Sequence, residues 1–388
     1  MWKNRAVYIA LLLSGAGMYV VTNKRQIFML LLVLVLMPLI SGLMLAVSAG
    51  GMRITCELQE TCVVGQRIGV NMKVVYRGHL PIGRGKARIE YENILFRTME
   101  KQVVWLERSQ KKQAYYEIPY ISRDCGKYKI KFPRVVCFDV MGLFAKKCRP
   151  VPEYEFTVFP KISELEISLK HLPESKTVGN HYNQRKKGQD VTEVFEMREY
   201  REGDNPKSIH WKLSGKLDQL IVREFSHPAD YHTLVLYDTA FDSSSPGYHE
   251  IVNGVLGMTA SISRSLVNMN HSHHVGFMNK ESFLDTEVED NDSFMQALTN
   301  MMSAGIGTAE DEGLDEFIRQ DLQREFSKIV LVTGVLGEQN VQRLTAFVDL
   351  TVVLISEKET DNVAQGKNYD VIALAVDSMT AKVQMLDI

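Results

Sequence analysis

REYREGDNPKSIHWKLSGKLDQLIVREF, residues Arg198 to Phe225, places arginines, acidic residues, a turn and a tryptophan in one short run. The flanking segments VFEMREY and QLIVREF have the β-branched and aromatic content of strands. Between them, Asn205 and Pro206 suit the N-cap and first position of a helix. That helix would have an apolar face beginning at Ile209 and ending at Leu217. The sequence therefore predicts a compact strand–helix–strand unit.

This unit could be a catalytic site, because Asp204, Ser208, His210 and Ser214 offer an acid, a base and nucleophiles. However, Ser208 and His210 are two residues apart and would point to different faces of a helix. No nucleophile elbow is present either. A hydrolase is therefore kept only as an alternative.

The ends of the same unit carry Arg–Glu pairs, Arg198–Glu199 and Arg223–Glu224. Guanidinium groups bind carboxylates bidentately, so such pairs can fix two elements to one another. We predict that the unit is a structural clamp that also serves as a docking surface.

Two uncharged apolar runs precede the rest of the chain, at residues 6–21 and 27–50. About 20 apolar residues span a hydrocarbon core, so the second run predicts a transmembrane helix. The first is either its partner in a transmembrane hairpin, which we favour, or the apolar region of a signal peptide. Lys and Arg are more numerous outside the connecting turn than in it, which favours a multi-pass protein of the cell membrane with a cytoplasmic body.

The length of the whole chain, 388 residues, predicts two or three domains. Residues 52–160 show period-two alternation, typical of an antiparallel β-sandwich. Residues 161–230 form a polar linker, with a basic run at 185–187, followed by the strand–helix–strand unit. Residues 231–388 alternate strands and helices, which predicts a Rossmann-like α/β domain. The predicted fold class is thus a membrane-anchored multidomain α+β protein, whose transmembrane hairpin is residues 1–51.

Charge and cysteine content limit the function. The formal net charge is −2, without the basic footprint of a nucleic-acid-binding protein. The five cysteines form no CxxC pair and their number is odd, which favours a reducing compartment and small buried thiols over zinc.

The run from Arg198 resembles the signature of the bacterial "domain of unknown function 58" family, whose members are commonly encoded beside MoxR-type AAA+ ATPases. Its pattern is roughly R-E-Y-x-x-G-D, then P-x-x-I-x-W, then V-R-E-F. Upstream, CFDVMGLFAKK is similar to the family's D-P-F-G-L-F stretch, with Val140 and Met141 in place of Pro and Phe. His210 stands where an aspartate is common, which favours an architectural role. The residues that match the signature are Arg198, Glu199, Tyr200, Gly203, Asp204, Pro206, Ile209, Trp211, Val222, Arg223, Glu224 and Phe225.

The resemblance implies a distal domain similar to von Willebrand factor type A domains. Those bind a divalent metal through D-x-S-x-S, a loop threonine and a later aspartate. Here the first motif is DTAFD, without its serines, and Thr333-Gly334 lacks the aspartate of T-D-G. At most a weak, degenerate site of Asp238, Asp242 and Thr308 is implied, and no other cofactor. His271, His273 and His274 are interpreted as a loop before a strand.

The resemblance also implies a function. We expect no enzyme but a membrane-anchored adaptor, similar to a co-chaperone, that works with a MoxR-type AAA+ ATPase and other envelope proteins. The segment GRGKAR lacks the Walker P-loop spacing, so the ATPase would supply any hydrolysis. The alternatives are an extracytoplasmic adhesion or envelope-assembly protein, and the hydrolase described above.

Overall fold

The structure is a computed structural model that describes most of the chain. The described residues are 2–76, 84–107, 113–168, 187–188, 194–201, 209–217, 219–226, 233–239, 244–278, 282–304, 306, 313–335, 337–357, 369–375 and 385–387. They form two compact units, Met1–Lys161 with Leu298–Ile306, and Ile162–Ala297 with Gly307–Ile388.

Two apolar helices open the first unit, α1 (Trp2–Thr22) and α2 (Arg25–Gly50). Both are long and apolar enough to cross a membrane. They form a hairpin in which the Tyr8 hydroxyl donates a hydrogen bond to the Leu34 carbonyl, and the rings of Tyr19 and Phe28 lie 5.7 Å apart. Most of their side chains are exposed, but Leu45 and Ala49 at the end of α2 belong to the core of the next domain.

The predicted β-sandwich follows α2. One sheet has the order β1-β3-β6 and the other β2-β9-β7-β4-β5, with β8 paired to β7. The stacked rings of Tyr91 and Tyr120, 4.1 Å apart, join the two sheets across one apolar core. One pair, β2 with β9, is parallel, and the other pairs are antiparallel. The strands are β1 (Met52–Glu57), β2 (Thr61–Val63), β3 (Arg67–Tyr76), β4 (Gly85–Asn93), β5 (Thr98–Leu106), β6 (Gln113–Ile121), β7 (Gly126–Phe138), β8 (Ala145–Lys147) and β9 (Tyr154–Phe159).

The second unit begins with short strands that include the signature segment. Sheet β11-β13-β12 carries helix α3 between its last two strands in sequence, and β10 pairs in parallel with the distant β20. The elements are β10 (Glu166–Ser168), β11 (Lys187–Gly188), β12 (Val194–Glu199), α3 (Trp211–Leu217), β13 (Ile221–Ser226) and β20 (Met385–Asp387). Residues 185 and 186 of the basic run lie outside the described residues.

The largest sheet of the second unit has the order β16-β15-β14-β17-β18-β19. Its strands are parallel except the edge strand β16, so the predicted parallel sheet is confirmed. Strand β17 is buried throughout and β14 is buried up to Asp238, as expected for the centre of such a sheet. The elements are β14 (Thr233–Asp238), α4 (Tyr248–Asn268), β15 (His273–Met278), β16 (Phe283–Val288), α5 (Asn291–Ser303), α6 (Gly313–Arg319), a 3₁₀ helix (Leu322–Glu325), β17 (Lys328–Thr333), α7 (Glu338–Thr345), β18 (Asp349–Ser356) and β19 (Tyr369–Ala375).

Candidate functional site

The signature segment is a hairpin of β12 and β13 with α3 inserted between the strands. Tyr200 N–H donates to the Leu220 carbonyl, and His210 N–H donates to the Ile221 carbonyl, both at 2.8 Å. These bonds hold the start of α3 against β13. The predicted strand–helix–strand unit is therefore present.

The predicted start of the helix is wrong in one respect. Ile209 forms an antiparallel bridge with Val222 of β13, so it lies before α3 and not on its apolar face. Helix α3 begins at Trp211. The reason is that backbone pairing with β13 holds Ile209 in an extended conformation, and tertiary pairing overrides local helical periodicity. Asn205 and Pro206, expected at the helix start, lie outside the described residues.

His210 and Ser214 both serve the backbone of this unit. His210 Nδ1 accepts a hydrogen bond from Leu213 N–H at 3.2 Å, as a capping side chain does. Ser214 Oγ donates to the His210 carbonyl at 3.1 Å and accepts from Ile221 N–H at 2.9 Å. Of the proposed catalytic set, these two residues therefore have structural partners. Asp204 and Ser208 lie outside the described residues, so the hydrolase alternative stays a hypothesis.

One surface of this segment is exposed. The Trp211 side chain is 67 % exposed, in contrast to the packing role that an internal clamp would require. Lys212 and Lys216 follow on α3 and are also exposed, as is Leu220 just before β13. We call these four residues the Trp211 surface. It combines an aromatic side chain, an aliphatic side chain and two cations.

The Arg–Glu positions occur in the paired strands. Arg198 is directly opposite Val222, and Glu196 is opposite Glu224, so Arg198 is diagonal to Glu224. By the same register, Arg223 is opposite Met197 and diagonal to Glu199. Diagonal positions on one face of a sheet are within reach of long side chains. The backbone register is thus compatible with the clamp, which stays a prediction. Gly203 lies outside the described residues, as do Asp204 and Pro206.

The second motif of the resemblance, CFDVMGLFAKK, forms the end of β7, a tight loop and β8. Asp139 is buried and its carboxylate accepts hydrogen bonds from Ser41 Oγ (2.8 Å), Met141 N–H (3.3 Å) and Phe144 N–H (2.8 Å). Gly142 has a φ of +70°, where a Cβ atom would lie 2.6 Å from the Asn4 amide nitrogen. Asp139 and Gly142 thus shape this loop around helices α1 and α2.

The same loop is bonded to the first turn of α1 and the last turns of α2. Asn4 Nδ2 donates to the Met141 carbonyl at 3.2 Å, and Arg5 Nε donates to the Leu143 carbonyl at 2.8 Å. Lys146 Nζ donates to the Ala46 carbonyl at 2.7 Å. The loop therefore fixes the sandwich domain to the helical hairpin. We call residues 139–144 the juxtahelical loop.

Comparison with known proteins identifies few relatives. No family model matches the chain. An uncharacterized protein of Bacillus subtilis, YeaD, is 22 % identical over 273 residues, which are 68 % of this chain and 63 % of that protein. The match therefore spans less than two thirds of the relative's length. The family resemblance above stays a prediction.

Solved structures are similar only at a low level. A cohesin module from Clostridium perfringens matches 28 % of this chain and 97 % of its own, with 10 % identity and a TM-score of 0.21. The alkylpurine DNA glycosylase AlkC of Pseudomonas fluorescens matches 28 % of this chain and 30 % of its own, with 12 % identity and a TM-score of 0.21. Scores at this level carry no argument about fold or function.

The predicted metal site is described only in part. Asp238 ends β14 and pairs in register with Thr333 at the end of β17, so both lie at the carboxyl edge of the parallel sheet. The Thr333 hydroxyl is engaged with the backbone of Val335. Asp242 and Thr308 lie outside the described residues. Within the described ranges, no group of three or more His, Cys, Asp or Glu side chains could hold a metal ion.

The histidine run has structural partners in the described fold. His273 is the first residue of β15 and is buried, with Nε2 2.7 Å from Ser263 Oγ and Nδ1 3.0 Å from the His271 carbonyl. His274 Nδ1 is 2.9 Å from the Asp285 carboxylate. Burial lowers the pKa of His273 to about 4. Of the three histidines predicted to lie in a loop, His271 precedes β15, whereas His273 and His274 are the first residues of that strand.

The five cysteines are free thiols, of which Cys56, Cys62 and Cys137 lie in the sandwich core and Cys148 packs against it. Burial raises the pKa of Cys56 to about 12 and that of Cys62 to about 11. Cys148 and Cys137 lie 3.1 Å apart, and this hydrogen bond lowers the pKa of Cys148. The free, buried state agrees with the interpretation as small apolar side chains.

Proposed function

We propose that this protein is a membrane-anchored adaptor that binds a MoxR-type AAA+ ATPase through the Trp211 surface. The observation that carries the proposal is the exposure of Trp211 next to two lysines, in a segment otherwise closed by backbone hydrogen bonds. A large aromatic side chain left in water has no stabilising role in the fold. Trp is enriched among the energetic hot spots of protein interfaces, and exposed lysines beside it favour association with an acidic partner.

The two apolar helices support the anchored part of the proposal. Most of their side chains are exposed and apolar, and a bilayer would cover them. The juxtahelical loop holds the sandwich against the helices, so the body would keep a fixed distance from the membrane. We place the body in the cytoplasm, where such ATPases work.

The adaptor is tested by purification from native cells. Full-length protein is extracted in mild detergent with ATP hydrolysis blocked, and the co-purified AAA+ ATPase is quantified by mass spectrometry. We expect a stoichiometric amount. Trp211→Ala should weaken binding roughly thirty-fold, because truncating a hot spot costs about 2 kcal/mol or more.

The matched control is Phe347→Ala, which removes another exposed aromatic ring of the same unit. It should leave the ATPase bound. Absence of the ATPase from the wild-type preparation would contradict the proposal. Equal binding by the Trp211 and Phe347 variants would reject this surface as the docking site. Resistance of the protein to alkaline carbonate extraction tests the anchor separately.

A further inference from the structure

The juxtahelical loop lies deep along α2. Ser41, which donates to Asp139, is nine residues before the end of a 26-residue helix. Such a helix is about 39 Å long, whereas a hydrocarbon core is ~30 Å thick and takes about 20 residues. Counted from Ile27, the core ends close to Ala46. Ser41 then lies about 8 Å inside that boundary, and the bonds of the loop to Asn4 and Arg5 place its other side beside the start of the uncharged run of α1.

The outer surface of the loop is apolar. Val140 is 55 % exposed and Phe144 is 41 % exposed. Beside Val140, an open groove of about 210 Å³ is lined by side chains of α2 and of the loop, mainly apolar: Met37, Ile40, Met44, Leu45, Phe138 and Met141. This apolar surface is continuous with the exposed apolar surface of α2, so the same apolar medium can cover both surfaces.

Cationic and aromatic side chains lie above this apolar surface. Lys146 of β8 is bonded to the Ala46 carbonyl, which places it at the level of the boundary. Lys86 of β4 pairs with Trp105 of β5 on one side and with Val136 of β7 on the other. Val136 is two residues before Phe138, which lines the groove. Two strand residues span about 7 Å, so Trp105 also comes to the level of the boundary.

Trp105 has the form of an interfacial residue. It is 56 % exposed, and Lys86 Nζ lies 5.2 Å from the centroid of its ring. Trp beside a cation is enriched at the level of lipid headgroups, where the ring is partly apolar and the cation meets phosphate. At this end of the sandwich, exposed apolar side chains of the loop therefore lie near an aromatic–cation pair and Lys146.

We propose that this end of the β-sandwich is a second membrane contact, in which the juxtahelical loop inserts below the headgroups. Val140 and Phe144 contact acyl chains, while Trp105, Lys86 and Lys146 contact anionic phospholipid headgroups. The inference rests on the membrane anchoring proposed above and adds that the sandwich itself is seated in the bilayer surface. The domain is thus not a spacer that stands clear of the membrane.

The test uses full-length protein in vesicles of phosphatidylcholine and phosphatidylglycerol. A cysteine carrying an environment-sensitive fluorophore is introduced by Val140→Cys and, separately, by Ile121→Cys. Ile121 is equally apolar and exposed, but it ends β6 opposite Arg67, at the end of the sheet away from α2. The native cysteines are buried or half-buried, and labelled wild-type protein gives the blank.

We expect brominated acyl chains to quench the probe at position 140 several-fold more than the probe at position 121, and aqueous iodide to do the reverse. A second readout needs no label. Trp2→Phe with Trp211→Phe leaves Trp105 as the remaining tryptophan of three, and brominated phosphatidylglycerol should quench its fluorescence. Lys86→Gln should weaken that quenching, whereas Arg97→Gln, in the turn beyond β4, should not.

The outcomes separate the two proposals. A protein released from vesicles by alkaline carbonate would overturn the anchoring. A protein that resists carbonate, with equal quenching at positions 140 and 121 and no quenching of Trp105, would overturn the seated sandwich alone.

Discussion

At the residue scale, His273 makes the stability of the α/β domain depend on pH. Its ring is buried against Ser263, and burial lowers its pKa from 6.5 to about 4. Between these values the unfolded chain binds a proton that the folded protein does not. The contribution of the neutral His273 ring to the free energy of unfolding is therefore complete above pH 6.5 and is lost as the pH falls toward 4.

The loss amounts to about 3 kcal/mol, since each pKa unit corresponds to about 1.4 kcal/mol. We expect the free energy of unfolding in detergent to fall between pH 7 and pH 4, and His273→Gln to flatten this dependence. The measurement is thermal unfolding across that range. If the stability of both proteins fell in parallel between pH 7 and pH 4, another titratable group would be responsible for the loss of stability in acid.

Ser214 has a structural role that can be tested, as a hydrogen-bond partner of the backbone of β13. Its hydroxyl accepts from Ile221 N–H, and both residues are buried. Ser214→Ala leaves that donor unsatisfied, which costs about 1–3 kcal/mol. Hydrogen exchange should show the Ile221 amide less protected. Lys216→Ala, on the exposed side of the same helix, should leave the exchange unchanged, and equal effects of the two changes would reject this role.

At the element scale, elements with a strong local pattern were predicted well. The alternation of strands and helices predicted for residues 231–388 is present, for example in β14 and α4. Each has a continuous or periodic apolar pattern that a buried strand or a helix requires. Between α6 and the 3₁₀ helix the helical path is interrupted, because Asp321 adopts a φ of +57°.

Elements determined by distant partners could not be predicted. Strands β10 and β20 have three residues each and pair across most of the second unit, a contact without a local signal. Edge strand β16 is largely exposed and lacks the apolar run of its neighbours. Ile209 looked helical because the bridge to Val222 is not visible in the sequence.

The residues of the candidate site likewise divide into those that the sequence predicts and those that only the structure shows. The resemblance pointed to the segment from Arg198, and the structure shows that Trp211 is exposed in its described part. Trp211 could not be recognised as exposed from sequence, since a tryptophan in a helix is most often packed. Leu220 and the two lysines of the Trp211 surface belong to no sequence motif. The role of Asp139 becomes visible only in the structure, where its carboxylate accepts a hydrogen bond from Ser41.

At the scale of the whole molecule, the proposed anchoring depends on how firmly α1 and α2 are attached to the sandwich domain. Asp139 is central to this attachment, because its carboxylate joins α2 to the backbone of the juxtahelical loop through Ser41 and Phe144. A surface linker would leave the two parts mobile, whereas a buried, hydrogen-bonded carboxylate holds one geometry. We therefore predict that Asp139→Ala loosens the attachment without unfolding the second unit.

The variant loses hydrogen bonds to a charged group and leaves Phe144 N–H unsatisfied, a cost of about 2–3 kcal/mol. In full-length protein in vesicles, hydrogen exchange should increase in residues 139–144 and at the end of α2, while β14 and β17 stay protected. Glu57→Ala, at an exposed carboxylate at the end of β1 away from α2, is the control. Unchanged exchange in the Asp139 variant would mean that the helix contacts of Asn4, Arg5 and Lys146 hold the domain without this carboxylate.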